Sequence, residues 1–89
     1  MTSHTTAAFR KAFDRLPSSV QRHAREAYKL FRQNPRHPGL GFKPIHPSKP
    51  IYSARVGLDY RAVAVVEGDD VVWFWIGSHE SYDKLISRL

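Results

Sequence analysis

The chain has 89 residues, and 42% of them are hydrophobic, including eleven aromatic side chains. This length excludes a second domain, so we expect residues 1–89 to form a single small domain with one core. The net charge of +6 favours an anionic partner such as nucleic acid or an acidic protein. Because cysteine is absent, disulfides and thiolate metal sites are excluded.

The sequence shows no targeting or membrane signal. The N-terminal stretch Met1–Phe9 lacks the basic flank and apolar core of a signal peptide. No apolar run approaches the roughly 18 residues that would cross a bilayer. We therefore expect a soluble, cytoplasmic protein without a membrane partner.

The first predicted element is an amphipathic helix. Between Thr6 and Leu16, apolar residues recur at i, i+3, i+4 and i+7, which is one face of a helix. Thr5 or Thr6 can cap this helix, and Pro17 ends it.

A second helix with a more regular pattern follows. Ser18 and Gln21 stand at capping-box spacing, and apolar residues then recur up to Phe31. Asn34-Pro35 stops the pattern, so the two helices form a helical hairpin. The other face of this helix is basic, which favours a solvated face over a binding stripe. Its cations are Arg22, Arg25, Lys29 and Arg32.

The second half of the chain reads as strands. Three runs have strand character: Ile51–Val56, Tyr60–Val66 and Val71–Ile76. Turns at Gly57-Leu58-Asp59 and Gly68-Asp69 separate them, so they form an antiparallel meander. The last strand is apolar at every position, which indicates a central strand that is covered on both faces.

The order of elements predicts an α+β fold. Residues 34–50 hold five of the six prolines, so only Leu40–Ile45 could pair there as a short edge strand. After Ser78, Tyr82 begins a new helical pattern that continues to Leu89. We expect an N-terminal helical hairpin packed on a twisted antiparallel sheet of three to four strands, with a short C-terminal helix.

A candidate site depends on the register of the first predicted hairpin. If its turn is the three residues Gly57 to Asp59, Val56 pairs with Tyr60 and Arg55 stands directly opposite Arg61. Like charges directly opposite each other destabilise a strand pair, so this arrangement calls for an anion. A two-residue turn would instead put the two arginines on opposite faces.

Two further polar groups emerge beyond the last strand. His79 and Tyr82 are three residues apart on a helix and so face the same way. Two arginines, an imidazole and a phenol suit RNA phosphodiester cleavage, because the arginines hold the phosphate while the other groups move protons. If the second turn is Gly68-Asp69, six apolar or charged residues of the last two strands lie on the face of the sheet that carries Arg61. They are Arg61, Val63, Val65, Val72, Phe74 and Ile76.

Each of these residues also has a plain structural interpretation. Tyr82 begins an apolar stripe and fits a core position, and His79 fits an ordinary helix start. Trp73 and Trp75 fit packing positions better than base stacking. The five histidines show no paired spacing and no acidic companion, so we expect no metal and no cofactor. Three basic residues in the loops are either solvated or extend a phosphate track: Arg36, Lys43 and Lys49.

Several segments, in this order and spacing, resemble the RelE/ParE superfamily of toxins from type II toxin-antitoxin systems. They are Phe9–Pro17, Val20-Gln21, Asn34-Pro35, Tyr60-Arg61, Trp75–His79 and Tyr82-Asp83. The resemblance covers nearly the whole chain. It implies a compact domain of two helices on a twisted antiparallel sheet, with the family's first strand reduced here to the short stretch Met1–Thr6, so that it is short or missing.

The resemblance also implies a function. RelE-like toxins bind the ribosome and cleave messenger RNA without metal, whereas ParE-like toxins poison DNA gyrase, and both are held inactive by an antitoxin. Arg61 resembles the phosphate-binding arginine of RelE-like toxins, Tyr82 their catalytic tyrosine, and His79 the histidine of related branches. Arg55 and Lys43 match by their place in the sheet.

The sequence therefore predicts a toxin that acts as a metal-independent endoribonuclease on messenger RNA. Its predicted catalytic residues are Arg61, Arg55, His79 and Tyr82, with Tyr82 as acid or orienting group. The alternatives are a ParE-like gyrase inhibitor that acts by binding and an inactive orphan member of the family. We expect an acidic antitoxin as partner in either active case.

Overall fold

The computed structural model describes all residues from 1 to 89. Helix α1 covers Ala7–Asp14 and helix α2 covers Ser18–Gln33. Thr6 caps α1, since its hydroxyl accepts a hydrogen bond from the backbone N–H of Phe9 at 3.1 Å. The helical hairpin predicted from the sequence is confirmed.

The predicted capping box at the start of α2 is wrong. The carbonyl of Pro17 accepts the first helical hydrogen bonds, so Pro17 is the N-cap and Ser18 is already inside the helix, without a side-chain cap bond. Gln21 instead donates from its side-chain amide to the carbonyl of Phe13 at 3.0 Å. This bond ties the start of α2 to the last turn of α1.

The sheet has five strands in the spatial order β1-β5-β4-β3-β2. All neighbouring pairs are antiparallel except β1 and β5, which run parallel. The first strand, which the family resemblance predicts to be short or missing, is present as β1, and β2 is the edge strand predicted within residues 40–45. The strands are β1 Thr2–Thr5, β2 Lys43–Pro44, β3 Ile51–Val56, β4 Tyr60–Glu67 and β5 Asp70–Ser78.

The sheet is covered on both faces. The helical hairpin packs on one face, where Phe31, Ala54 and Trp73 belong to the larger core cluster. The short C-terminal helix α3, His79–Ile86, packs on the other face, where Tyr82 joins a smaller cluster. Strand β5 lies between β1 and β4, so its prediction as a central strand is confirmed.

A β-bulge in β5 changes which of its residues face α3. Val63 pairs with Trp75 and Ala64 with Trp73, so Phe74 has no partner across the strands. Phe74 and Trp75 both pack on the α3 side. Ile76 pairs with Ala62 and belongs to the hairpin-side core, so its predicted place beside Arg61 is wrong. None of the helices combines the length and the apolar composition that a membrane span requires.

Candidate functional site

The β3–β4 hairpin has the register that the three-residue turn predicts. Arg55 pairs with Arg61, and Val56 pairs with Tyr60. Gly57 opens the turn with φ of 63°, a left-handed conformation that suits glycine. Because directly paired residues of antiparallel strands lie on the same face, the two arginines share the α3 face of the sheet.

The two arginine side chains have different surroundings. Arg61 is half-buried, and its guanidinium carbon lies 5.0 Å from the centre of the Tyr82 ring. Arg55 is exposed and lies beside Gly41, where a Cβ atom would stand 3.3 Å from Arg55 Nε. Arg61 is thus held in place, while Arg55 is free to meet a ligand from the solvent side.

Ser53 links two of the predicted site residues. Its hydroxyl oxygen accepts a hydrogen bond from Arg61 Nη1 at 3.3 Å and another from the Tyr82 hydroxyl at 3.2 Å. Ser53 is 0% exposed, so water does not compete for these bonds. One weak signal in the sequence points to Ser53, which lies two positions before Arg55 in the same strand and so faces the same way.

Tyr82 is a buried residue with its hydroxyl turned inward. It is 6% exposed, packs with Ile51 and Val63, and directs its O–H to Ser53. Its ring also lies 6.3 Å from that of Trp75. The structural interpretation of Tyr82 as a core residue therefore holds, and its ring also contacts the guanidinium of Arg61.

His79 is exposed at the first position of α3. Its backbone N–H donates to the carbonyl of Asp59 at 2.7 Å, which fixes the start of the helix against the β3–β4 turn. Its ring lies 5.8 Å from the Tyr82 ring, and its Nε2 is 3.7 Å from Asp83 Oδ1. Ser78 caps the helix by accepting a hydrogen bond from the N–H of Ser81 at 3.2 Å.

The structure brings His79, Tyr82 and Arg61 together, as the sequence predicted. Tyr82 touches both of the others, and Arg61 pairs with Gly77 of β5, two residues before His79. His79 is exposed and Arg61 is half-buried, so the imidazole and the guanidinium can both reach a ligand at the surface.

The three basic loop residues do not join this cluster equally. Lys43 pairs with Ser53, so it lies on the same face of the sheet as the arginines. Lys49 and Arg36 are exposed in loops, and no side-chain hydrogen bond connects either of them to the cluster. Of the three, Lys43 alone lies in a strand, β2, and shares a face of the sheet with Arg55 and Arg61.

The cations of the cluster have no anionic partner in the protein. The only ion pairs within 4.0 Å are His79 with Asp83 and His4 with Asp70, so no Lys or Arg is neutralised by a carboxylate. No group of three or more His, Cys, Asp or Glu residues is arranged to hold a metal ion. Arg55, Arg61 and Lys43 therefore have no carboxylate partner on this face.

The tryptophans belong to the two cores. Trp73 lies edge-on to Phe31 with ring centres 5.4 Å apart, and its ring N–H donates to Ser3 at 3.3 Å. Trp75 packs beside Tyr82.

On the hairpin side of the sheet, an apolar groove of about 570 Å³ lies between the two helices and the strands. Its lining includes Phe9, Phe13, Tyr28 and Phe31.

Comparisons with known proteins place this fold in a family. A family model described as ParE-like toxin domain matches residues 18–84, well over half of the chain. A comparison with curated protein sequences finds no match.

Several solved structures share the fold at low sequence identity. The toxin of the RelB-RelE antitoxin-toxin complex from Methanococcus jannaschii is 18% identical, with a TM-score of 0.73 over 91% of this chain and 95% of that one. YafQ from E. coli is 14% identical, with a TM-score of 0.72 over 90% and 94%. A YoeB/ParE toxin from Agrobacterium tumefaciens is 17% identical, with a TM-score of 0.69 over 89% and 99%.

The helical hairpin on a mostly antiparallel five-stranded sheet is the RelE-like fold. The chain belongs to the family of the ParE-like toxin domain.

Proposed function

We propose that this toxin is a metal-independent endoribonuclease that cleaves messenger RNA. The observation that carries the proposal is the direct pairing of Arg55 with Arg61 beside the exposed imidazole of His79. Two like charges in register on one face favour a phosphate between them, and the imidazole supplies the proton transfer that phosphodiester cleavage needs.

In this proposal the two arginines stabilise the phosphate. Arg61 is the fixed contact, because Ser53 and the Tyr82 ring hold its guanidinium. Arg55 is the mobile contact that closes on the phosphate from solvent. Charge that grows on the phosphate oxygens in the transition state then meets guanidinium N–H donors that carry no competing carboxylate.

His79 is the proposed proton-transfer residue. Its ring lies 5.8 Å from that of Tyr82, and it is exposed enough to meet a 2′-hydroxyl or a leaving oxygen. Asp83 lies one helical turn further on and can orient the ring. Tyr82 acts as the orienting group, because its own proton is directed to the buried Ser53.

An acidic antitoxin is the proposed partner. Its support is the RelB-RelE complex from Methanococcus jannaschii, in which a protein of this fold is bound to an antitoxin. The net charge of +6 is the electrostatic complement of such a partner.

The test is to induce expression of the parent protein, of the variants His79→Ala and Arg61→Ala, and of one matched control variant for each. His4→Ala is the control for the first variant, because His4 also pairs with an aspartate but lies on β1, away from the cluster. Arg88→Ala is the control for the second. We expect both site variants to relieve growth arrest and to abolish new cuts in translated messages, while both controls stay toxic. Site variants as toxic as the parent would contradict the proposal.

Gyrase inhibition is the second candidate, because the matching family model is described as ParE-like. A gyrase inhibitor would act by binding and would leave messages intact. Induction followed by an SOS response without new RNA ends would favour this candidate, and His79→Ala would then remain toxic. Good expression without any growth effect would instead indicate an inactive member of the family.

A further inference from the structure

The net charge of the chain is confined to one part of the fold. Residues 1–36 contain eight Lys and Arg but only two Asp and Glu, which leaves a charge of +6. Residues 37–89 contain six of each kind and are neutral. The helical hairpin and its flanks therefore carry the whole net charge, and the part that holds the candidate cluster carries none.

The hairpin cations are not neutralised within the protein. No Lys or Arg lies within 4.0 Å of a carboxylate oxygen. Arg25 lies over the ring of Phe13 at 5.3 Å, and Arg32 lies over that of Tyr28 at 6.0 Å. A guanidinium stacked on an aromatic ring keeps its N–H edge free, so these two arginines are positioned to bind an anion.

Four of these cations form a row along α2. Their spacing of three, four and three residues puts them on one stripe of the helix, with neighbours about 5–6 Å apart. Like charges at this spacing destabilise a helix, and Glu26, the only carboxylate of α2, makes no ion pair with any of these cations. At 1.5 Å per residue the row is about 15 Å long, so several phosphates can lie along it. The row consists of Arg22, Arg25, Lys29 and Arg32, all exposed.

We infer that this row is a second nucleic-acid surface that binds the phosphate backbone of RNA. It lies on the hairpin side of the sheet, opposite the Arg61 cluster. The inference rests on the proposed function for the identity of the nucleic acid. The hairpin supplies electrostatic affinity without sequence preference, while the cluster on the other face carries out the chemistry.

An acidic protein segment is the competing ligand for this surface. Such a segment would use the apolar groove, and the hairpin cations that line the groove are only Arg25, Lys29 and Arg32. Five other cations of residues 1–36 lie outside its lining, so the charge extends over a wider area than one groove-bound segment covers. This distribution favours a polyanion. The five are Arg10, Lys11, Arg15, Arg22 and Arg36.

The experiment compares two double variants that remove the same charge. Lys29→Gln/Arg32→Gln changes the row, and Lys84→Gln/Arg88→Gln changes α3 and the residues after it. The four substituted side chains are all exposed. The probe is a 2′-O-methyl RNA oligonucleotide, which lacks the attacking hydroxyl and stays intact. Its dissociation constant is measured across a range of salt concentrations. Thermal unfolding of each variant checks that the fold is retained.

We expect the row variant to bind the probe several-fold more weakly than the parent. The slope of log affinity against log salt concentration should become shallower by about 1.4, because each of the two lost contacts to a single-strand phosphate contributes about 0.7 to it. The α3 variant should retain the slope of the parent. Equal losses in the two variants would overturn the inference, because net charge alone would then explain binding.

Poly-L-glutamate serves as a second probe. If it binds the parent more tightly than the RNA does and loses this affinity in the row variant, the surface is one for acidic protein and the inference is wrong. Because neither probe is cleaved, the result is independent of the proposed nuclease. RNA binding that maps to the row without any cut messages would leave this inference intact and overturn the nuclease.

Discussion

The substitution Tyr82→Phe separates the two roles that a buried tyrosine beside a phosphate site can have. The change removes one hydrogen bond to Ser53 and keeps the ring that packs under Arg61 and beside Trp75. A single intramolecular hydrogen bond contributes about 0.5–1.5 kcal/mol net. Ser53 also keeps its second donor, Arg61 Nη1, so we expect a loss of about 1 kcal/mol.

This loss should be visible as a small fall in the melting temperature. One kcal/mol corresponds to about 4–8 °C for a domain of this size. Tyr82→Ala would instead remove the whole buried ring and cost about 3–5 kcal/mol, as for other buried aromatic residues. Circular dichroism during heating measures both variants and shows whether the ring is a core element.

The activity of Tyr82→Phe decides the role of the hydroxyl. If Tyr82 orients Arg61 through its ring, cleavage by the folded variant should stay within a few-fold of the parent. A general acid contributes about 10²–10⁴-fold, so its loss would be much larger. Single-turnover cleavage of RNA is the assay. A 100-fold fall with only a small change in melting temperature would refute the orienting role.

Two further paired substitutions test local features of the fold. Gly57→Ala should destabilise the protein by about 1–2 kcal/mol or more, because the alanine would keep a left-handed backbone conformation and its Cβ would lie 2.8 Å from His23 Nδ1. Gly68→Ala imposes the same backbone strain, but its Cβ would have no atom within 4 Å, so this variant should lose less stability. Equal shifts of the denaturant midpoint would contradict this. Ser53→Ala should reduce RNA cleavage more than Ser3→Ala, although both serines accept a side-chain hydrogen bond, because only Ser53 holds the guanidinium of the cluster. Equal rates at matched stability would show that this bond does not matter for cleavage.

The arginine pair was predictable because a short turn determines it. Gly57-Leu58-Asp59 is a local signal, and once the turn has three residues, the pairing of Arg55 with Arg61 follows by counting. The helical periods before Pro17 and Asn34 are local signals of the same kind. These features needed no information about distant contacts.

The features that the sequence did not predict depend on distant contacts or on subtle backbone choices. The strand at Thr2–Thr5 is polar and pairs in parallel with β5 at the other end of the chain, so no local pattern marks it. The bulge at Phe74 lies within an unbroken apolar run, where period-two alternation cannot show which residue is extra. Ser53 carries no charge or motif and acquires its role only when α3 brings Tyr82 onto it.

Cleavage of messenger RNA by the purified protein in a translation reaction tests the central proposal most directly. The parent and His4→Ala should cut messenger RNA in a translation reaction and leave a 2′,3′-cyclic phosphate on the upstream fragment, because the 2′-oxygen attacks the phosphorus and the 5′-oxygen leaves. His79→Ala and Arg61→Ala should leave the message intact. Intact RNA with the folded parent, or cuts that persist in both site variants, would contradict the assignment of this face as the catalytic site.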